Sequence, residues 1–312
     1  MHQLKLRAVF MRGGTSNALM FRAEDLPRDR SQWDRIFLGA IGSPDPSGRQ
    51  LDGMGGGVSS LSKVCIIGPP TRRDADVDYT FAQVAIREAS VDYRGNCGNM
   101  SSAIGPFAVD EGIVTASGPE AVVRIHNTNT KKLIIARFAV EDRKAAVDGD
   151  FVLSGVAGSG APIRLEFVAP GGAATGRLLP TGNVIDLLDL PGGSRIEASM
   201  VDAANPCVFV QADALGMTGI EMPDRLERDV ALMQRLEAIR IAASIRMGIA
   251  ATPAEAARKP SIPKVAMVSD PRDAPTLSGD TLAADAADIT IRATPARHSR
   301  ATRPSASRSP QA

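Results

Sequence analysis

Apolar residues recur along the chain with two different periods, and each change of period marks an element. Leu4, Leu6, Ala8 and Phe10 alternate with Lys5 and Arg7, which predicts a half-buried strand over 4–10. Trp33, Ile36, Phe37, Ala40 and Ile41 fall at i, i+3, i+4, i+7 and i+8, predicting a helix capped by Ser31 and stopped at Gly42-Ser-Pro44. Val64-Cys-Ile-Ile67 and residues 77–86 read as strands joined through Gly68-Pro-Pro70. In the second strand the apolar set moves from Val77, Tyr79 and Phe81 to Val84 and Ile86, so a bulge or face change is expected near Gln83. Residues 101–109 are small or apolar all round, the pattern of a buried helix, with a kink expected at Gly105-Pro106 because proline removes a backbone donor. Strand-like runs follow at 122–125, 133–138 and 163–167, and His126-Asn-Thr-Asn-Thr130 reads as a polar strand end. Beyond the linker-like Pro170-Gly-Gly-Ala-Ala-Thr-Gly176, residues 201–210 lead from a loop into a buried strand. Leu232, Leu236, Ile239 and Ala243 then mark the apolar face of a helix running to Gly248, and residues 284–292 alternate as a strand.

Runs of strands interrupted by isolated helices give an α+β class. At 312 residues the chain exceeds what one hydrophobic core usually serves, so two domains are expected. Its 44% hydrophobic and 23% charged residues are ordinary for a soluble globular protein. A net charge of +1 and 4% aromatic residues supply no field or stacking surface for nucleic acid. No apolar stretch is long enough for a signal peptide core or a bilayer span, so a cytoplasmic location is expected and no membrane partner. Cys65, Cys97 and Cys207 show no metal-ligand spacing, and neither do His2, His126 and His298, so neither a disulfide framework nor a zinc site is expected. Without a dinucleotide fingerprint either, the expectation is no cofactor. The oligomeric state, a homo-oligomer included, stays open.

Candidate chemistry concentrates in Gly53-Met-Gly-Gly-Gly-Val-Ser-Ser-Leu-Ser-Lys63 and Gly95-Asn-Cys-Gly-Asn99. A glycine run lets backbone amides approach an anion, and Ser59, Ser60 and Ser62 add hydroxyl donors. Lys63 stands at the start of an apolar strand, where burial lowers an amine's pKa and makes a neutral base available. Cys97 precedes the buried helix, whose positive dipole end favours thiolate. Each feature has a plain alternative: a turn, a solvated lysine, a small buried thiol. The run is no phosphate loop, since no Gly-Lys-Ser/Thr follows the glycines.

A resemblance spans most of the chain. Met11-Arg-Gly-Gly-Thr-Ser16, Ile41-Gly-Ser-Pro-Asp-Pro46, Leu51-Asp-Gly-Met-Gly-Gly56, Ser59-Ser-Leu-Ser-Lys63, Gly95-Asn-Cys-Gly-Asn99, Pro180-Thr-Gly-Asn183 and Arg246-Met-Gly248 are similar to successive signatures of the PrpF family. That family resembles diaminopimelate epimerase in fold. It includes 2-methylaconitate cis-trans isomerase and 4-oxalomesaconate tautomerases, which move a proton along an unsaturated tricarboxylate without cofactor or metal. The resemblance implies Lys63 and Cys97 as catalytic residues, with Thr15, Ser16, Ser59, Ser60 and Asn99 lining substrate carboxylates. It extends to Thr181, to Asn205 of an Asn-Pro pair and to Arg246 as further substrate contacts. The ligand it implies is a small unsaturated di- or tricarboxylate, and the wording of Phe10-Met-Arg and Gly55-Gly-Gly-Val-Ser-Ser points to the oxalomesaconate branch. One departure stands out: many relatives read Thr-Ser-Lys-Gly where this chain has Thr15-Ser16-Asn17-Ala18, which removes a cation next to the expected carboxylate site.

By this resemblance the chain divides into an epimerase-like domain at 1–182, carrying Lys63 and Cys97, and a second, incomplete one at 183–292. Each is expected to be a mixed or antiparallel sheet wrapped round a central helix. Residues 293–312 hold only small, polar, proline and arginine residues and one histidine, a composition that cannot bury apolar area against its ordering entropy. A disordered, frame-shifted ending is therefore expected in place of the apolar helix that relatives carry, along with weak activity. Two rival readings are an accessory protein of a partner dehydratase and an inactive copy. Amino-acid racemisation is disfavoured, because the epimerase mechanism uses paired cysteines and only Cys97 has a matching motif.

Overall fold

The computed structural model describes residues 4–276 and 279–293 and contains two large sheets. In the first, strands Val9–Gly13, Ser16–Arg22, Lys63–Gly68, Val77–Val84, Glu120–Asn127, Lys132–Glu141 and Ile163–Val168 lie side by side in that order. Two contacts in the series are parallel, Ser16–Arg22 with Lys63–Gly68 and Val77–Val84 with Glu120–Asn127, and the others are antiparallel. The sheet is therefore mixed.

One face packs on the helix Gly98–Asp110, burying Met20, Cys65, Ile67, Tyr79, Phe81 and Ile125 against Met100, Ile104 and Phe107. The other face packs on the helix Trp33–Ile41, where Leu19, Phe21, Val64, Ile66, Ala82 and Val84 meet Trp33, Phe37 and Ile41. Strands covered on both faces lose the alternation of a half-buried strand, which explains the unbroken run Val64-Cys-Ile-Ile67. It also explains Val77–Val84. Of the bulge or face change expected near Gln83, the structure shows the face change: pairing runs without interruption from Gly68↔Asp78 to Lys63↔Gln83, and the apolar residues change face because both faces are buried.

The helix Gly98–Asp110 runs through Pro106 and lies against the sheet at Gly105. A Cβ there would stand 2.6 Å from the Phe138 ring, so the absence of a side chain sets how closely helix and sheet approach. Two other boundaries differ from expectation. Pairing of the first strand begins at Val9, opposite Met20, not at Leu4; residues 4–8 belong to no strand although the partner strand continues to Arg22. The helix at 33 is preceded by the short turn Arg30–Gln32, and it is Asp29 that accepts from the Ser31 amide; Ser31 is not the cap.

The second sheet orders Asp186–Asp189, Arg195–Ala203, Asn205–Gln211, Lys264–Ser269 and Thr290–Ala293. Asn205–Gln211 and Lys264–Ser269 are parallel. The helix Val230–Arg246, capped by Asp229, covers its apolar face, burying Leu232, Leu236 and Ile239 with Met200, Val208 and Met267. The expected strand at 284–292 is confined to Thr290–Ala293, since pairing with Lys264–Ser269 runs only from Ser269↔Thr290 to Ala266↔Ala293. The ending expected to be disordered lies, from 294 onward, outside the described residues. Among the described residues no helix is long and apolar enough to cross a membrane.

Candidate active site

Lys63 opens the strand Lys63–Gly68, and its direct antiparallel partner is Gln83. Directly opposed side chains on one face of a sheet reach each other, and Lys63 Nζ donates to Gln83 Oε1 at 2.7 Å. It also donates to the Ser59 carbonyl at 2.6 Å and stands 5.5 Å from the centre of the Phe81 ring. Gln83 Nε2 donates in turn to the carbonyls of Ser59 and Ser62, which fixes its oxygen towards the lysine. Lys63 is only 6% exposed. Burial pulls its pKa below the usual lysine value; Cys97 opposes that shift and Lys264 adds to it. A neutral amine has two N–H donors, and Ser59 O with Gln83 Oε1 accepts both, leaving the fourth tetrahedral position for the lone pair.

The glycine run does not act as expected. Its amides are already engaged inside the loop: Gly55 N–H donates to Ile41 O, Gly56 N–H to Leu61 O and Gly57 N–H to Gln50 Oε1. None of Gly55, Gly56 and Gly57 lines the cleft. Glycines are required here for close approach, since a Cβ on Gly53 would lie 2.2 Å from the Gly42 nitrogen. The loop's contribution is to deliver the short turn Ser59–Leu61, whose carbonyl at Ser59 holds the lysine.

Cys97 occupies the N-cap position of the buried helix Gly98–Asp110. The first amides of a helix have no partner within it, so Gly98 and Asn99 bring unpaired donors and a positive dipole end to the cleft they line. Asn99 Nδ2 donates to Thr15 Oγ1 at 2.9 Å, joining the helix start to the turn after the first strand. Gly13 permits that approach, because a Cβ there would sit 2.6 Å from the Asn99 carbonyl oxygen.

These groups surround a cleft of about 420 Å³, a size suited to a small molecule. Ser16, Ser59, Ser60, Lys63, Cys97 and Asn99 line it from the first sheet, and Asn205 from the second. Thr15 reaches it only through Asn99. Thr181 and Arg246 are not brought there: both bind the buried carboxylate of Asp186, at 2.6 Å and 3.2 Å. The His126 to Thr130 segment does not line the cleft either; Asn127 and Asn129 bond to Asn96 and to the backbone of Phe81 and Tyr93, supporting it from behind.

Sequence reading missed Gln83, Asp92, Ser261 and Lys264, all of which line the cleft. Lys264 carries a legible signal, since it opens an apolar strand as Lys63 does. Asp92 brings a carboxylate, but Arg94 binds it at 2.7 Å and the Ser261 hydroxyl donates to it. With Asp92 paired to Arg94, the charge of Lys264 leaves the cleft suited to an anion even where Lys63 is neutral. Asn17 is not a missing cleft cation. Ser16 and Ala18 face the cleft and central helix, while Asn17 belongs with Leu19 and Phe21 on the opposite face of its strand.

The profile of the family described as PrpF protein matches residues 3–303. The chain belongs to the PrpF family. Among PrpF relatives, 3-methylitaconate isomerase of Eubacterium barkeri is 48% identical over 292 residues, covering 93% of this chain and 76% of that protein. A 2-methyl-aconitate isomerase of Cupriavidus necator is 41% identical over 302 residues, covering 93% and 76%. A 4-oxalomesaconate tautomerase of Pseudomonas putida is 41% identical over 278 residues, covering 89% and 74%. The crystal structure of a methylitaconate-delta-isomerase superposes with a TM-score of 0.74 at 47% identity, covering 93% of this chain and 75% of that one. Among the described residues of this PrpF member, no group of three His, Cys, Asp or Glu side chains could hold a metal ion.

Proposed function

We propose that the protein is an isomerase of a small unsaturated di- or tricarboxylate and moves a proton along an allylic system with Lys63 as base. The observation that carries this reading is the buried amine of Lys63, held by two acceptors in a cleft whose remaining charged groups favour an anion. Neutral Lys63 takes a proton from the carbon next to the conjugated system, giving an ammonium group and a dienolate. The negative charge spreads onto a substrate carboxylate or keto oxygen, where the helix-start amides at Gly98 and Asn99, the serine hydroxyls and Lys264 supply donors. Return of a proton from the Lys63 ammonium to a second carbon completes the shift. If the Cys97 thiol delivers it, the resulting thiolate takes the lysine proton, and both groups end as they began.

The reaction so written requires neither metal nor nucleotide. Two epimerase-like lobes, divided near 182, would carry the walls of the cleft. Sequence identity favours methylitaconate as the first substrate to test over the oxalomesaconate branch, at 48% against 41%. The test follows 3-methylitaconate, 2-methylaconitate and 4-oxalomesaconate by NMR in D₂O with purified protein, with and without EDTA. Double-bond migration with deuterium incorporation is expected on at least one, lost in a folded Lys63→Ala variant and unaffected by chelator. Parent-like turnover in Lys63→Ala removes the base assignment.

A further inference from the structure

Asn96, next to Cys97, is held from two sheets at once. Its side-chain oxygen accepts from Asn127 Nδ2 at 3.3 Å and from Ser101 Oγ at 3.4 Å, both within the first sheet and its helix. Its backbone is bonded from the second sheet: Asn96 N–H donates to Asn205 Oδ1 at 3.1 Å, and Asn205 Nδ2 donates to Asn96 O at 3.2 Å. The amide of Asn205 thus pairs with both polar groups of Asn96 as a neighbouring strand would, across 109 residues of sequence. Two more ties join the same segment to the second half of the chain, Arg94 to the Arg258 carbonyl at 3.0 Å and Ser261 to Asp92. Asn205 opens the strand Asn205–Gln211, a rigid element buried on its other face. Each end of its amide is engaged once by Asn96, which fixes the orientation of the amide and leaves one N–H and one lone pair on the cleft side.

We propose that Asn205 is a positioning residue: it clamps the Asn96 backbone from the second sheet and thereby holds Cys97 and the start of the helix Gly98–Asp110 against Lys63. This replaces the expected role of Asn205 as a substrate contact, and its kinetic part rests on the proton-transfer reading above. A displacement of the order of 1 Å in a reacting group costs catalysis while leaving substrate binding largely intact.

The test uses the full chain and the variants Asn205→Ala and Asn205→Asp, the second keeping the acceptor for Asn96 N–H but setting a carboxylate oxygen against its carbonyl. Iodoacetamide labelling of Cys97, read by peptide mass spectrometry, needs no substrate. It should be accelerated about tenfold in both variants at unchanged melting of the bulk fold, as expected when a local segment opens. On the substrate that the parent turns over, kcat should fall about 10- to 100-fold with KM within about twofold. Hydrogen exchange in the parent should show the Asn96 amide protected, and the variants should lose that protection. A KM raised about tenfold or more with Cys97 labelling unchanged makes Asn205 a substrate contact and overturns the proposal. If both variants unfold, the parent decides: a protected Asn96 amide supports the clamp and a freely exchanging one defeats it. Should the parent turn over none of the three acids, the function fails, while labelling and exchange still decide the clamp.

Discussion

A lysine becomes a base at moderate pH only where its ammonium form is disfavoured, and here burial and a second lysine act together on Lys63. The sign follows directly. A folded pKa below the ordinary 10.5 means that the neutral amine accumulates at lower pH than in a free lysine, so kcat/KM should rise with pH to a midpoint below 10.5. Between that midpoint and 10.5 the unfolded chain binds more protons, so stability contributed by this group also rises with pH. Lys264→Gln removes a charge that lowers the Lys63 pKa, and the rising limb of the pH-rate profile should move to higher pH; an unmoved limb would show that Lys264 acts only on substrate. Gln83→Leu takes away one of the two acceptors and frees the lysine head to rotate. We expect a loss of about 10- to 100-fold in kcat with the fold intact, read from steady-state kinetics and circular dichroism together.

At the scale of elements, the buried helix Gly98–Asp110 is held at a distance that has no room for an extra methyl group. Gly105→Ala would add a Cβ 2.6 Å from the Phe138 ring and 3.1 Å from Ala136 Cβ. Replacing a helical glycine by alanine normally gains about 0.8–1.0 kcal/mol, whereas overpacking a core costs about 1–3. Phe138 is itself buried and cannot swing away, so overpacking should win and the variant should melt at lower denaturant than the parent. Because the same helix carries Cys97 at its start, activity should fall along with stability. Gain of stability would show that helix and sheet separate freely and that Gly105 does not set their spacing.

Across the whole molecule the cleft exists because two sheets are tied together at the Asp92 to Cys97 segment. Asp92 is central to that tie. Burial pushes its pKa up, but hydrogen bonds from Arg94 and Ser261 outweigh burial, and the net shift is downward from 3.8. Its stabilising contribution is therefore complete above 3.8 and is lost as pH falls through the lower folded value. Asp92→Asn should destabilise the chain by about 1.5–3 kcal/mol near neutral pH, the range for a hydrogen bond to a charged group. The gap between variant and parent should narrow below that folded pKa, and urea melts at a series of pH values measure it. A gap that does not change with pH would assign the effect to packing.

Local chemistry alone was enough to locate Lys63 at the start of a strand, Cys97 ahead of a buried helix, the helix at 33–41 and the apolar face of the helix that ends at Arg246, because period and burial are encoded within a few residues of each position. The motifs were equally local, and they identified the PrpF family. Tertiary structure decided everything that depends on a partner distant in sequence. Gln83 reads as an irregularity in a strand until the register places it opposite Lys63. The glycines read as an anion cradle until their amides are found bonded to Gln50, Leu61 and Ile41. Thr181 and Arg246 carry signatures like those of site residues, yet a buried aspartate at 186 takes both. Asn205 and Lys264 enter the cleft only because two parallel strands of the second sheet begin beside it. A hydrogen bond is satisfied by whichever group the fold brings within reach, and no window along the chain contains that information.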